Sequence, residues 1–252
     1  MTGAPSPLLV ILVGGIAFLY ASVGFGGATG YLAVMSQFEV EPNLMATTSL
    51  ILNVVVAGIA FINYARAGHM QRRLLISFSL ASIPAAFLGG YFKLQENLYF
   101  VLLYSILTYV TLRMLLARND VIVAEESLRS PPTLLALLCG AVIGTLSGML
   151  GFGGGIILSP LIILMRWGSP KQAASTAAGF ISLNSLSGLL GRFIGGNFVF
   201  GMLGAWLLPV GILGALAGSY LGARRFSGLW TRRVLGLVLL VAVIKFWVGY
   251  FH

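Results

Sequence analysis

The sequence predicts an all-α polytopic membrane protein made of two inverted repeats, each a re-entrant helical hairpin followed by three transmembrane helices. Three observations carry this reading. Of 252 residues, 58% are hydrophobic and only 8% charged, whereas a soluble domain carries about 25% charge. Apolar runs long enough to cross a bilayer recur along nearly the whole chain. A glycine-rich tetrapeptide occurs twice, as Gly24-Phe25-Gly26-Gly27 and as Gly151-Phe152-Gly153-Gly154 with Gly155 following, 127 residues apart. A lipid-facing barrel is excluded because the apolar runs do not alternate with period two.

Taken in order, apolar segments at 8–23 and 28–38 flank the first glycine motif and form the first hairpin. Predicted helices follow at 43–65, 74–92 and 97–117, completing a first repeat over residues 1–120. The polar stretch Arg118–Pro132, with Asp120, Glu125 and Glu126, supplies a cytoplasmic linker at 121–132. The second repeat, 133–252, opens on a hairpin at 133–166 and continues with helices at 171–192, 200–223 and 230–251. Pro131-Pro132 suits the start of its first helix.

The repetition extends beyond the glycines. Pro42 and Pro170 begin corresponding segments, and Thr47-Thr48 corresponds to Ser175-Thr176. Gly68-His69 matches Gly196-Asn197, and Pro84 and Pro209 interrupt corresponding later helices. Asn53 and Asn184 fall at similar depths once a three-residue shift is allowed. A run of matches at nearly constant offset marks a duplicated chain.

The charges choose between two threadings. If each glycine motif merely breaks a spanning helix, the halves are parallel and the basic residues split eight against seven. If each motif is the tip of a hairpin that enters and leaves on one face, the halves are inverted. One face then receives Arg66, Arg72, Arg73, Arg113, Arg118, Arg129, Arg166, Lys171, Arg224, Arg225, Arg232 and Arg233, and the other only Lys93, Arg192 and Lys245. Cytoplasmic loops hold the excess of Lys and Arg, so the inverted threading is expected, with both termini outside. One tension remains: a hairpin arm reaching the bilayer centre needs about ten residues, and the incoming arms are longer than that. They must tilt, overshoot the centre or begin outside the hydrocarbon.

The net charge of +9 is topological anchoring and not a nucleic-acid footprint, since most of the arginines sit at the ends of apolar runs. The N-terminal stretch Met1–Pro7 has no basic residue, so no cleaved signal peptide is expected. The expected partners are the lipid bilayer and a small anionic solute. The sequence gives no oligomeric state.

The candidate site follows from the breaks. Glycine adopts backbone angles denied to other residues and permits a sharp reversal. The second arm of each hairpin then starts near the membrane centre, where a helix N-terminus offers free N–H groups and about half a positive charge. Two such ends meeting from opposite faces would hold an anion without any charged side chain. The candidate binding residues are Gly24, Phe25, Gly26, Gly27, Thr48, Asn53, Gly151, Phe152, Gly153, Gly154, Gly155, Thr176 and Asn184. The competing reading of the glycines is close helix packing. Asn53 and Asn184 either contact the solute or brace the hairpin backbone. The hydroxyls of Thr47, Thr48, Ser49, Ser175 and Thr176 either face the site or bond their own helices. Gly214, Gly218 and Gly222 form a small-residue packing face. Arg192, at the outer end of its helix, is expected to snorkel to lipid headgroups, the alternative being an anion-attracting mouth.

Enzymatic function is not expected. No Asp or Glu lies at mid-depth in a predicted span, which removes the parts of a carboxylate proton relay. His69 falls in a loop and His252 is terminal, so no span holds a nucleophile–histidine pair. The single Cys139 excludes a multi-cysteine metal site, and neither metal nor cofactor is implied.

The duplicated Gly-Phe-Gly-Gly, the Ser/Thr-rich segment after it and the two-fold repeat resemble the TauE/SafE sulfite-exporter family of anion permeases, over essentially the whole chain. Gly151–Gly155 with Ser159-Pro160 matches that family's pattern closely. The first motif departs from it, with Ala28 in place of the last glycine and no proline equivalent to Pro160. The resemblance implies transport of small anions across a bacterial inner membrane, with sulfite, thiosulfate and sulfonates as the associated class. An anion channel of the same architecture, or a carrier of small carboxylates, is the alternative.

Overall fold

The computed structural model of the chain describes residues 6–22, 26–116, 128–222 and 228–251, and their regular structure is entirely helical. The helices are α1 (Pro7–Ser22), α2 (Ala28–Gln37), α3 (Pro42–Arg66), α4 (Arg72–Tyr91), α5 (Glu96–Leu115), α6 (Thr133–Leu150), α7 (Gly155–Leu164), α8 (Pro170–Ile194), α9 (Met202–Gly222) and α10 (Gly228–Phe251). α6 and α7 both fall within the stretch 133–166, and each of the other eight overlaps one of the remaining segments read from the sequence. Among the described residues five of them, α3, α4, α5, α6 and α8, are long and apolar enough to cross a membrane. The protein is an all-α, multi-pass membrane protein.

Local chemistry sets the helix starts. α3 begins at Pro42, with the Glu41 side chain accepting from the Asn43 and Leu44 amides at 3.1 and 3.2 Å. α8 begins at Pro170 behind a capping box, in which Ser169 and Gln172 exchange backbone-to-side-chain bonds. Both helices run 25 residues, about 37 Å, and α2 and α7 both run 10, about 15 Å. Pro84 and Pro209, expected to interrupt their helices, instead lie inside the unbroken α4 and α9. Each costs one rung of the ladder, a loss that packed neighbours make tolerable in a membrane helix.

Close backbone contacts fix the relative directions of the helices. Gly140, Gly144 and Gly148 of α6 lie against the backbone of Phe78, Ser82 and Ala86 of α4, so these two helices run parallel. Gly191 of α8 and Gly195 just after it meet the Phe87 and Tyr91 backbone of α4 in the same sense, and the Ser187 hydroxyl donates to the Ile83 carbonyl at 2.6 Å. On the other side, Gly214 and Gly218 of α9 sit on Gly14 and Phe18 of α1, also in parallel. α3 and α8 cross antiparallel: Leu50 approaches Gly188, the Ser182 hydroxyl donates to the Val54 carbonyl at 3.4 Å, and Phe61 packs on Gly179. α5 and α10 are antiparallel as well. Tyr104 stacks on Phe246 with ring centroids 3.8 Å apart, and Leu115 packs on Gly236.

Two apolar cores each enclose one short helix. One gathers Tyr20, Tyr31, Met35, Met45 and Leu103 around α2. The other gathers Phe78, Ile143, Trp167 and Phe180 around Leu158 and Ile162 of α7. Large apolar side chains such as Leu80, Leu134, Leu213 and Val241 are left exposed, as expected of surfaces that face lipid.

Candidate functional site

Both short helices begin on a glycine that no other residue could replace without strain. The residues before α2 and α7, Gly27 and Gly154, have φ of 91° and 80°, and neither helix start has a side-chain cap. Regular intrahelical bonding begins with the Tyr31 amide on the Gly27 carbonyl at 3.0 Å and the Leu158 amide on the Gly154 carbonyl at 3.2 Å. The amides of the first turn point beyond the helix, with the dipole's positive end behind them.

The long incoming arms overshoot. α6 carries the chain to Gly151, which packs on Ala46 near the start of α3. The chain then doubles back until Gly154 stands beside Ile143, two turns before the end of α6. α1 and α2 fold back in the same manner, with Gly30 against Ile16 and Tyr20 and the Tyr20 hydroxyl 2.7 Å from that of Thr29.

The two tips converge on one side chain. A methyl group placed on Gly26 would stand 2.8 Å from Asn53 Oδ1, and one on Gly153 would stand 2.7 Å from Asn53 Nδ2. Asn53 is fully buried, and neither atom of its amide has a hydrogen-bond partner. Facing it from α8, Ile181 touches the same two glycines and also Gly155. An orphaned amide costs about 1–3 kcal/mol, which marks this as a place where packing is not the governing demand. The hydroxyls of Thr47, Thr48, Ser49, Ser175 and Thr176 are buried too, and none bonds its own helix or any other group.

The other expected residues are placed as follows. Phe152 is buried between the tip and the first core. Gly24 and Phe25 lie outside the described residues. Asn184 is buried but set off from the tips, where its Oδ1 accepts from the Ser82 hydroxyl of α4 at 2.8 Å. The α8 residues that do reach the tips include Ala177, Phe180, Ile181 and Ser185, the last with an unpartnered hydroxyl 3.4 Å from a methyl placed on Gly153. Ile181 was legible: it stands at the same offset from Asn53 as Thr176 does from Thr48. Arg192 corrects the snorkelling expectation. It is 4% exposed and turned inward, and its Nη2 donates to the Gly148 and Met149 carbonyls at 3.2 and 2.6 Å. The end of α6 leaves carbonyls without helical partners, and a guanidinium satisfies them better than lipid headgroups reward it.

Comparison with known proteins bears on this arrangement. Residues 8–246 match the family described as sulfite exporter TauE/SafE. The chain belongs to the TauE/SafE family. Within the TauE/SafE protein's relatives, it is 34% identical over 233 residues to the probable membrane transporter protein y4hK of Sinorhizobium fredii, covering 91% of this chain and 93% of that one. It is 22% identical over 264 residues to the probable membrane transporter protein YunE of Bacillus subtilis, covering 94% of each. No solved structure matches it. The TauE/SafE protein is thus a membrane transporter and not an enzyme.

Proposed function

We propose that this TauE/SafE protein carries small anions of the sulfur oxyanion or organosulfonate class across a bacterial inner membrane. Transport proceeds by alternating access around a central site at the two glycine tips. The observation that carries this reading is the convergence of Gly26 and Gly153 on the unpartnered, buried amide of Asn53.

The chemistry is that of a site without charged side chains. The starts of α2 and α7 bring two sets of free amides and two partial positive charges to one place. The amide of Asn53 can donate from Nδ2 to an oxygen of the solute, and buried hydroxyls of Thr48 and Thr176 stand on α3 and α8. Ile181 supplies an apolar wall. Gly24 and Phe25 are proposed with them on the sequence motif alone.

Two inverted halves, 1–120 and 133–252, supply the motion: rocking one against the other would expose the tips to each face in turn. The antiparallel crossings of α3 on α8 and of α5 on α10 support inversion, because matched helices of parallel halves would run the same way. The arginine-rich face is the cytoplasmic one, and both termini are outside.

The test is flux into proteoliposomes, paired with thermal unfolding of the purified protein across sulfite, thiosulfate, short alkyl sulfonates and small carboxylates. Binding that saturates raises the midpoint with concentration. No shift and no flux for any sulfur anion would overturn the substrate class, and flux that never saturates would make the protein a channel.

A further inference from the structure

A cavity at one end of the bundle, beside the end of α6, gathers charged side chains that the glycine tips do not use. It measures about 250 Å³ and opens where α4 and α6 end and α3 and α5 begin. Its lining includes Glu41, Lys93, Gln95, Glu96, Tyr99 and Arg192.

The two acidic residues are already engaged with helix starts. Glu41 spends its carboxylate on the first amides of α3. Glu96 occupies the first turn of α5, where a carboxylate offsets the positive end of the dipole. The two cations are not engaged with a helix start, although Glu41 is close enough to act electrostatically on Arg192. Lys93 is exposed on the rim. Arg192 is buried at the floor with its bonds directed to backbone carbonyls, and its Nε, although buried, has no partner. A guanidinium offers five N–H donors in a planar fork shaped for an oxyanion. A buried guanidinium that lines the cavity and keeps one N–H unpartnered is costly unless a negative group offsets it.

We propose that this cavity binds a small oxyanion, such as a sulfate, sulfonate, carboxylate or phosphate group, between the Arg192 guanidinium and the Lys93 ammonium. The proposal does not depend on what the glycine tips carry. It does place the ligand next to them. The Arg192 Nη2 holds the Met149 carbonyl, and the Tyr99 hydroxyl donates to the Leu150 carbonyl at 3.1 Å, immediately before Gly151. An anion here competes with the end of α6 for the same guanidinium, so occupancy is coupled to the anchoring of the second tip.

A cysteine reporter tests this. Gln95 lines the cavity and makes no capping bond, so Gln95→Cys in a Cys139→Ala background places a thiol there and leaves the helix start intact. The probes are two methanethiosulfonate reagents, one bearing a sulfonate and one a trimethylammonium group. We expect the anionic reagent to label faster by about tenfold, the scale of local electrostatic focusing. Sodium sulfate is expected to slow labelling saturably against sodium chloride at equal ionic strength. Lys93→Glu, on the exposed rim, should remove the rate preference without disturbing the fold, and Arg192→Lys should remove the sulfate protection. Asn53→Leu should leave both unchanged, which separates this site from the tips. Labelling in phosphatidylglycerol nanodiscs slower than in detergent would assign the ligand to a lipid headgroup phosphate, and equal labelling to a soluble anion. Faster labelling by the cationic reagent, or no sulfate protection beyond that of chloride, would overturn the proposal.

Discussion

Ile181 touches the same two glycines as Asn53, from the facing helix. The pair gives the tips one polar and one apolar wall at matched positions of α3 and α8, so the site is not two-fold symmetric even where its backbone repeats. Leucine has nearly the shape of asparagine, and Asn53→Leu removes a buried amide that no protein group satisfies. The unfolding temperature without anion is therefore expected to hold or rise, since an unpaired buried polar group costs about 1–3 kcal/mol. Anion affinity is expected to fall about tenfold, the loss of one hydrogen bond to a charged group. Titration of the variant in the thermal assay reads both. Unchanged affinity would remove Asn53 from the site.

Gly27 and Gly154 carry a sharper demand. Both have positive φ, and a side chain at either collides with a neighbour: with the Tyr31 hydroxyl at 2.6 Å from Gly27, and with Ile143 at 2.6 Å from Gly154. Valine at either position should abolish flux while leaving a monodisperse protein. Gly68 is the control. Its φ is 81° but nothing lies within 4 Å of the added atom. Gly68→Ala bears the backbone strain alone, about 1–2 kcal/mol, and should transport normally. If all three variants behave alike, backbone strain and not the tip geometry explains the result.

The helical segments were legible because lipid imposes one rule on every span: the backbone must bond itself, and the side chains must be apolar. The glycine motifs were legible as breaks for the same reason. Depth along a helix was legible only to within about a turn. Asn53 and Asn184 are both buried amides of long helices, yet the three-residue shift needed to align them turns Asn184 almost a full turn away, onto Ser82 of α4. The strict offset from Asn53 leads to Ile181, which an eye searching for polar groups passes over. Arg192 was hidden by a different cause. Composition places an arginine at a helix end, but whether it faces lipid or the carbonyls of α6 depends on a neighbour from another part of the chain.

The Ser82–Asn184 bond ties two side chains together within a run of glycine and serine contacts that joins α4, α6 and α8. Ser82→Ala leaves Asn184 Oδ1 buried and unpaired and should lower stability by about 1–3 kcal/mol. Asn184→Leu should also lower stability, because it removes the side-chain acceptor of the buried Ser82 hydroxyl. Neither should alter anion affinity by more than about twofold. Thermal unfolding with and without anion separates the two effects. A large change in affinity at unchanged stability would return Asn184 to the binding site.

Orientation can be read from three further glycines. Gly68 follows α3, Gly196 follows α8 and Gly249 lies near the end of α10, and at each of them an added side chain meets nothing within 4 Å. Because α3 and α8 are antiparallel, their trailing loops lie at opposite ends of the bundle. In the proposed orientation the face with Arg66, Arg72 and Arg73 is cytoplasmic. Single cysteines at these positions in a Cys139→Ala background should therefore react differently with a membrane-impermeant thiol reagent. Gly196→Cys and Gly249→Cys should label in intact cells, and Gly68→Cys only after permeabilisation. Labelling of Gly68 and Gly196 from one side would contradict inverted halves. Reversal of all three would keep the inversion and turn the protein over, placing the arginine-rich face outside against the charge rule.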